Sequence, residues 1–78
     1  MQRTILLDST DKVQQFVRIS QKSPISMDLL CKNHTSIDAK SIMGVLSCCY
    51  GIPTTLDIHA DEKEADELMS QLKKYFIS

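Results

Sequence analysis

Three sets of side chains in this 78-residue sequence have types and spacings suited to chemistry. The first is a hydroxyl. In Ala39-Lys40-Ser41-Ile42-Met43-Gly44-Val45-Leu46-Ser47 a strand end runs into a short helix, with Ser41 at the N-cap. A serine oxygen there can accept from an orphan N–H of the first turn. A phosphate added to that oxygen would meet the positive end of the helix dipole, so the modification should not unfold the helix. The second set is a pair of separated histidines, His34 at a predicted chain reversal and His59 facing outward on a predicted strand. The third is Cys31, Cys48 and Cys49. Three is an odd number, two of them are adjacent, and no Cys-x-x-Cys occurs, which argues against a disulfide framework. The histidines stand apart from the cysteines, so the spacing suggests no metal site. Buried, reduced thiols are expected, no cofactor is implied, and Cys48, Cys49 and His59 receive no role.

The helix after Ser41 has almost no polar face. Val45, Cys48 and Cys49 fall on one side, and Ile42, Met43 and Leu46 on another. A small domain has one core, so one apolar side should remain at the surface as a docking face beside a modifiable hydroxyl. The pattern equally allows a helix wedged between other elements and buried all round.

The remaining elements must hold this helix in place. Thr4 to Leu7 is an apolar opening strand. Asp8-Ser9-Thr10-Asp11 supplies capping residues, and Val13, Phe16, Val17 and Ser20 recur at helical spacing until the chain approaches Pro24, giving a helix that ends near Lys22. Ile25, Met27, Leu29 and Cys31 then alternate with Ser26, Asp28 and Lys32. A reversal at Asn33-His34 leads to a second strand with Thr35, Ile37 and Ala39 inward and Ser36, Asp38 and Lys40 outward. Tyr50-Gly51-Ile52-Pro53 interrupts the pattern, with Gly51 a candidate helix end. Leu56, Ile58 and Ala60 alternate with Asp57, His59 and Asp61 as a last strand. Asp61 and Glu64 are spaced as a capping box for a closing helix. That helix carries Ala65, Leu68, Met69, Leu72 and Phe76 on its buried stripe. The order is strand, helix, strand, strand, helix, strand, helix, in one domain over residues 1–78, with one sheet face covered by helices and the other wet.

Composition narrows the function. Nine Lys and Arg against ten Asp and Glu give a net charge of −1, and the four aromatics form no stacking platform. A small nucleic-acid-binding sandwich is therefore disfavoured, and no direct nucleic-acid binding is expected. The apolar run at the N-terminus is too short for a signal peptide, and none approaches a membrane span, so a cytoplasmic protein with no membrane contact is expected.

Lys40-Ser41-Ile42-Met43-Gly44-Val45-Leu46-Ser47 closely resembles the regulatory-serine motif of HPr, the small phosphocarrier family of the bacterial sugar phosphotransferase system. The element order is also similar to that family's α+β fold, an open-faced sandwich with a four-stranded antiparallel sheet under three helices. The resemblance thus extends over essentially the whole chain, with its strongest sequence evidence between Thr35 and Leu68. It implies a carrier or regulatory protein rather than an enzyme.

The family's phosphocarrier chemistry uses a histidine in a Gly-Ile-His-Ala-Arg-Pro-like motif before the first helix. Counting back from Ser41 without gaps, Thr10 stands at the histidine position, Lys12 at the arginine and Val13 at the proline. None matches. Asp8 and Asp11 crowd the same helix start, where carboxylates satisfy the dipole and repel an anion. Lys12 lacks arginine's bidentate fork. Ser9 and Thr10 are better explained as caps than as phosphate acceptors.

By resemblance, Ser41 is the position that a dedicated ATP-dependent serine kinase phosphorylates in many Gram-positive relatives. The modified protein then binds a catabolite-control transcription factor. Ile42, Met43 and Leu46 would supply the apolar contact and Lys12 and Lys40 flanking cations, while the phosphate would meet a partner's arginine or lysine. Two departures stand close by: Cys49 and Pro53 occupy positions where the family often has glycine. The expectation is an HPr-like docking protein of the phosphotransferase system without the histidine centre, similar to paralogues that lack the histidine and keep the serine. The alternative is a phosphocarrier acting through a non-histidine acceptor.

Overall fold

The computed structural model describes residues 1–31 and 35–77. Seven regular elements follow in order: β1 (Gln2–Ile5), α1 (Thr10–Lys22), β2 (Met27–Leu30), β3 (Ser36–Asp38), α2 (Ile42–Cys48), β4 (Thr54–Ile58) and α3 (Asp66–Leu72). A 3-10 turn, Lys73–Tyr75, extends α3. The strands form one antiparallel sheet in the order β1-β4-β2-β3, so β4 lies between β1 and β2. The expected element order and fold class are therefore present. The expected reversal at Asn33-His34, with Lys32, lies outside the described residues.

Alternation places the core correctly along most strands. Met27 and Leu29 of β2, and Thr54, Leu56 and Ile58 of β4, are buried, while the residues between them are more exposed. α1 buries Val13, Phe16, Val17 and Ser20, the four positions that its apolar spacing selects. Its end is set by Pro24, since a residue before proline is biased to extended backbone. Ser23 adopts that conformation, at φ −85° and ψ 139°. Ser20 is polar but satisfied, its hydroxyl donating to the Phe16 carbonyl at 2.9 Å.

Several boundaries and facings differ from expectation. The opening strand begins at Gln2 and ends at Ile5, and Leu7 instead forms an isolated parallel bridge with Tyr50. Thr35 is exposed rather than inward. α2 ends at Cys48 with Cys49 as C-cap, and Gly51, at φ 74°, makes the turn that follows instead of ending the helix. Half of the capping box forms: Asp61 Oδ1 accepts from the Glu64 N–H at 2.8 Å. Residues 62–65 are turn, however, and regular helix starts only at Asp66. At the other end, Tyr75 is buried where the α-helical stripe selects Phe76. The chain tightens there to three residues per turn, which advances the buried face by about one position. Tyr75 packs edge-on against Phe16 with ring centroids 6.1 Å apart, and its hydroxyl donates to Gln15 Oε1.

Candidate functional site

The two helices that carry the candidate residues lie antiparallel. Gln21, near the end of α1, donates through Nε2 to the Lys40 carbonyl at the start of α2. At the opposite end, the Gly51 N–H donates to the Leu7 carbonyl at 2.8 Å. The start of α1 and the start of α2 thus stand at opposite ends of the pair.

The start of α1 is occupied by its own side chains. Ser9 is the N-cap, and its Oγ accepts from the Lys12 N–H at 3.2 Å. Lys12 Nζ lies 2.7 Å from Asp8 Oδ1, an exposed i,i+4 ion pair. The hydrogen bond and charge of Lys12 hold the Asp8 carboxyl below its ordinary range. Asp11 adds a second carboxylate in the first turn. Thr10 is the first helical residue and is exposed. Lys12 thus pairs with Asp8, which lies just before the helix.

The start of α2 is built differently. Ser41 is the N-cap and is exposed, but its hydroxyl makes no capping hydrogen bond, contrary to expectation. Its backbone does the structural work, the N–H donating to the Asp38 carbonyl and the carbonyl accepting from Val45 N–H, each at 3.0 Å. Asp38 also accepts from the Lys40 N–H at 2.9 Å, so the β3–α2 corner is fixed by backbone and Asp38 and leaves the serine oxygen unused for capping. No acidic residue lies in the first turn of α2, and among the described residues Lys40 has no ion-pair partner.

The two sides of α2 are now distinguished. Val45 and the C-cap Cys49 are buried, four residues apart on one line of the helix. Ile42, Met43 and Leu46 are exposed at 37%, 73% and 36%, and Tyr50 prolongs that apolar strip at 44%. Cys48, assigned by spacing to the buried side, is exposed, because it lies about 100° around the helix from Cys49. Ile42, Met43 and Leu46 are thus brought together next to Ser41. Thr10 and Lys12 lie at the other end of the helix pair.

Three features of the region were missed in the sequence. Gly44 permits a close approach: a Cβ there would lie 2.7 Å from Ile37 Cγ2 of β3 and 3.4 Å from Ser41 Oγ. A glycine inside a short apolar helix is the signal that carries this. His59 is not simply solvated, since its Nε2 lies 2.8 Å from Asp28 Oδ2; Asp28 is on β2, and His59 directly follows β4, the strand beside it. Finally, Cys31 Sγ lies 3.5 Å from Cys49 Sγ. Cys31 ends the inward row of β2, which points it toward the buried side of α2. Burial pushes the Cys49 thiol up to about 12, with the Cys31 thiol adding to the shift. No group of three or more potential metal ligands occurs among the described residues. No described helix is long and apolar enough to cross a membrane.

Comparison with known proteins adds to this geometry. A phosphocarrier protein HPr from Bacillus anthracis str. Ames superposes with a TM-score of 0.69 at 17% identity, covering 96% of this chain and 95% of its own. HPr-C-His from Thermoanaerobacter tengcongensis gives 0.67 at 23% identity, covering 95% and 91%. These likenesses bear on the fold. No curated protein matches the sequence. The family model described as the PTS HPr component phosphorylation site matches residues 11–78, and the chain therefore belongs to the HPr family, the phosphocarrier family of the bacterial phosphotransferase system.

Proposed function

We propose that this HPr-family protein acts as a regulatory docking module of the phosphotransferase system, switched by phosphorylation of Ser41, and not as a histidine phosphocarrier. The observation that carries the proposal is the contrast between the two helix starts. Ser41 is exposed, free of a capping bond and flanked by Lys40, Ile42, Met43 and Leu46. Thr10, which an ungapped count back from Ser41 puts at the family's histidine position, sits among Asp8, Asp11 and a Lys12 paired with Asp8.

A phosphohistidine needs an imidazole nucleophile and a vacant, positively biased helix start. The carboxylates at the start of α1 oppose both the approach of a phosphoryl donor and the charge it leaves behind. His59 is on the sheet side of the molecule with Asp28 and offers no substitute. At Ser41 the requirements are lighter, because the kinase supplies the catalytic groups and the substrate supplies an accessible hydroxyl. The added dianion would lie at the positive end of α2 beside the Lys40 backbone, giving a charged anchor next to an apolar strip. Such a pair of features fits a partner with an arginine or lysine beside an apolar pocket, the role a catabolite-control transcription factor fills for the family. By the same resemblance the kinase is an HPr-type serine kinase, and the setting is the cytoplasm.

The test is intact mass after two incubations, with an ordinary HPr as control: one with Enzyme I and phosphoenolpyruvate, the other with HPr kinase and ATP. The kinase should add one phosphate to the wild type and none to Ser41→Ala, while phosphoenolpyruvate should label only the control. Phosphate from phosphoenolpyruvate would overturn the loss of carrier function. An unlabelled wild type beside a labelled control in the kinase tube would overturn the switch.

A further inference from the structure

We propose that Cys31 and Cys49 form a dithiol site that a peroxide oxidises to an intramolecular disulfide, fastening the C-terminal end of α2 to the end of β2. The two sulfurs are 3.5 Å apart in the reduced protein. A disulfide bond is about 2.05 Å long, so small rotations of the two side chains close the gap. The backbone on both sides is already held. Cys31 N–H donates to the Thr35 carbonyl at 2.9 Å, and Cys49 N–H donates to the Val45 carbonyl at 2.9 Å. Cys31 Sγ also lies 3.9 Å from the Cys48 carbonyl, at the end of α2.

Accessibility assigns the roles. Cys31 is half-buried and reachable from solvent, whereas Cys49 is buried at 1% exposure. The Cys31 thiolate attacks one peroxide oxygen, the O–O bond breaks, and hydroxide leaves and is protonated to water, giving a sulfenic acid on Cys31. The Cys49 sulfur then attacks the Cys31 sulfur. The S–S bond forms, the S–O bond breaks, and the hydroxyl departs as water with the Cys49 proton. Two thiols and one peroxide thus give one disulfide and two waters. Burial raises the pKa of Cys49, which keeps the thiol neutral and shields it from direct oxidation, so it enters only as the resolving partner. Cys48, exposed and adjacent, lies close enough to Cys31 that burial and then the Cys31 thiol push its own thiol up, so it is the competing partner that the test must separate.

The experiment treats reduced wild type, Cys48→Ser and Cys31→Ser with equimolar hydrogen peroxide, blocks remaining thiols with N-ethylmaleimide under denaturing conditions, and reads intact mass. Cys48 and Cys49 are neighbours that peptide mapping cannot readily separate, which is why the Cys48 variant is included. Wild type should lose two hydrogens and keep one alkylatable thiol. Cys48→Ser should lose two hydrogens and keep none, and Cys31→Ser should form no internal bond. Hydrogen exchange at the Val45 and Cys49 amides should slow in the oxidised wild type. A bond absent from Cys48→Ser assigns the pair to Cys31 and Cys48 and overturns the proposal. Wild type that yields only intermolecular dimers, sulfinic acid or untouched thiols overturns it as well.

Discussion

The starts of α1 and α2 make an instructive pair. Both begin at a serine N-cap, and both lie at the helix layer's rim. At α1 the polar groups close on one another, with Ser9 on the Lys12 N–H and Asp8 on the Lys12 ammonium. At α2 the serine hydroxyl is left out of the cap, and the adjoining side chains are apolar and exposed. The same residue type therefore caps one helix through its side chain and leaves its hydroxyl out of the cap of the other. Asp38 fixes the β3–α2 corner without help from Ser41 Oγ, whereas at α1 the Ser9 Oγ itself accepts the capping bond.

The contrast extends to anchoring, and there it can be broken most forcefully. α1 buries four side chains, α2 only Val45 within its helical span. Phe16→Ala should cost about 3–5 kcal/mol in denaturant unfolding, while Met43→Ala stays within about 0.5 kcal/mol, since Met43 is exposed. A large loss from Met43→Ala would mean that the apolar strip belongs to the core. The caps give a smaller, sharper difference. Ser9→Ala should lose about 1 kcal/mol and Ser41→Ala only a few tenths, because only the first hydroxyl accepts a capping bond. Equal losses would place Ser41 among ordinary caps. The smallest effect concerns Asp8. Its folded carboxyl titrates below the unfolded one, so its contribution is present above the unfolded pKa and is lost as pH falls through the folded value. Asp8→Asn should flatten the acid limb of the stability curve, and high salt should remove most of the difference from wild type.

Much of this contrast was legible in the residues. The α1 stripe at Val13, Phe16, Val17 and Ser20, and the alternation through Leu56 and Ile58, are strong because one periodicity runs unbroken over several residues. The exposed trio on α2 was legible as one of two apolar sides, but periodicity cannot say which side meets a sheet. Val45 and Gly44 decide that, through the approach to Ile37. Cys48 and Phe76 misled for related reasons. A short helix allows little averaging of phase, and the tighter 3-10 turn after Leu72 rotates the last side chains. The Cys31–Cys49 contact joins positions 18 residues apart through tertiary packing, which no local spacing reports.

The C-terminal segment has a consequence for self-association. Leu6 N–H donates to the Tyr75 carbonyl, Ile77 N–H donates to the Thr4 carbonyl, and Ile5 bridges Phe76. β1 is therefore sheathed on its outer side by the chain's own tail, and among the described strands only β3 keeps an unpaired border. β3 is three residues long and ends in Asp38, too short and too charged to template a stranger's strand. A change that loosened the tail would uncover β1, a longer strand, and give the sandwich an edge prone to edge-to-edge stacking.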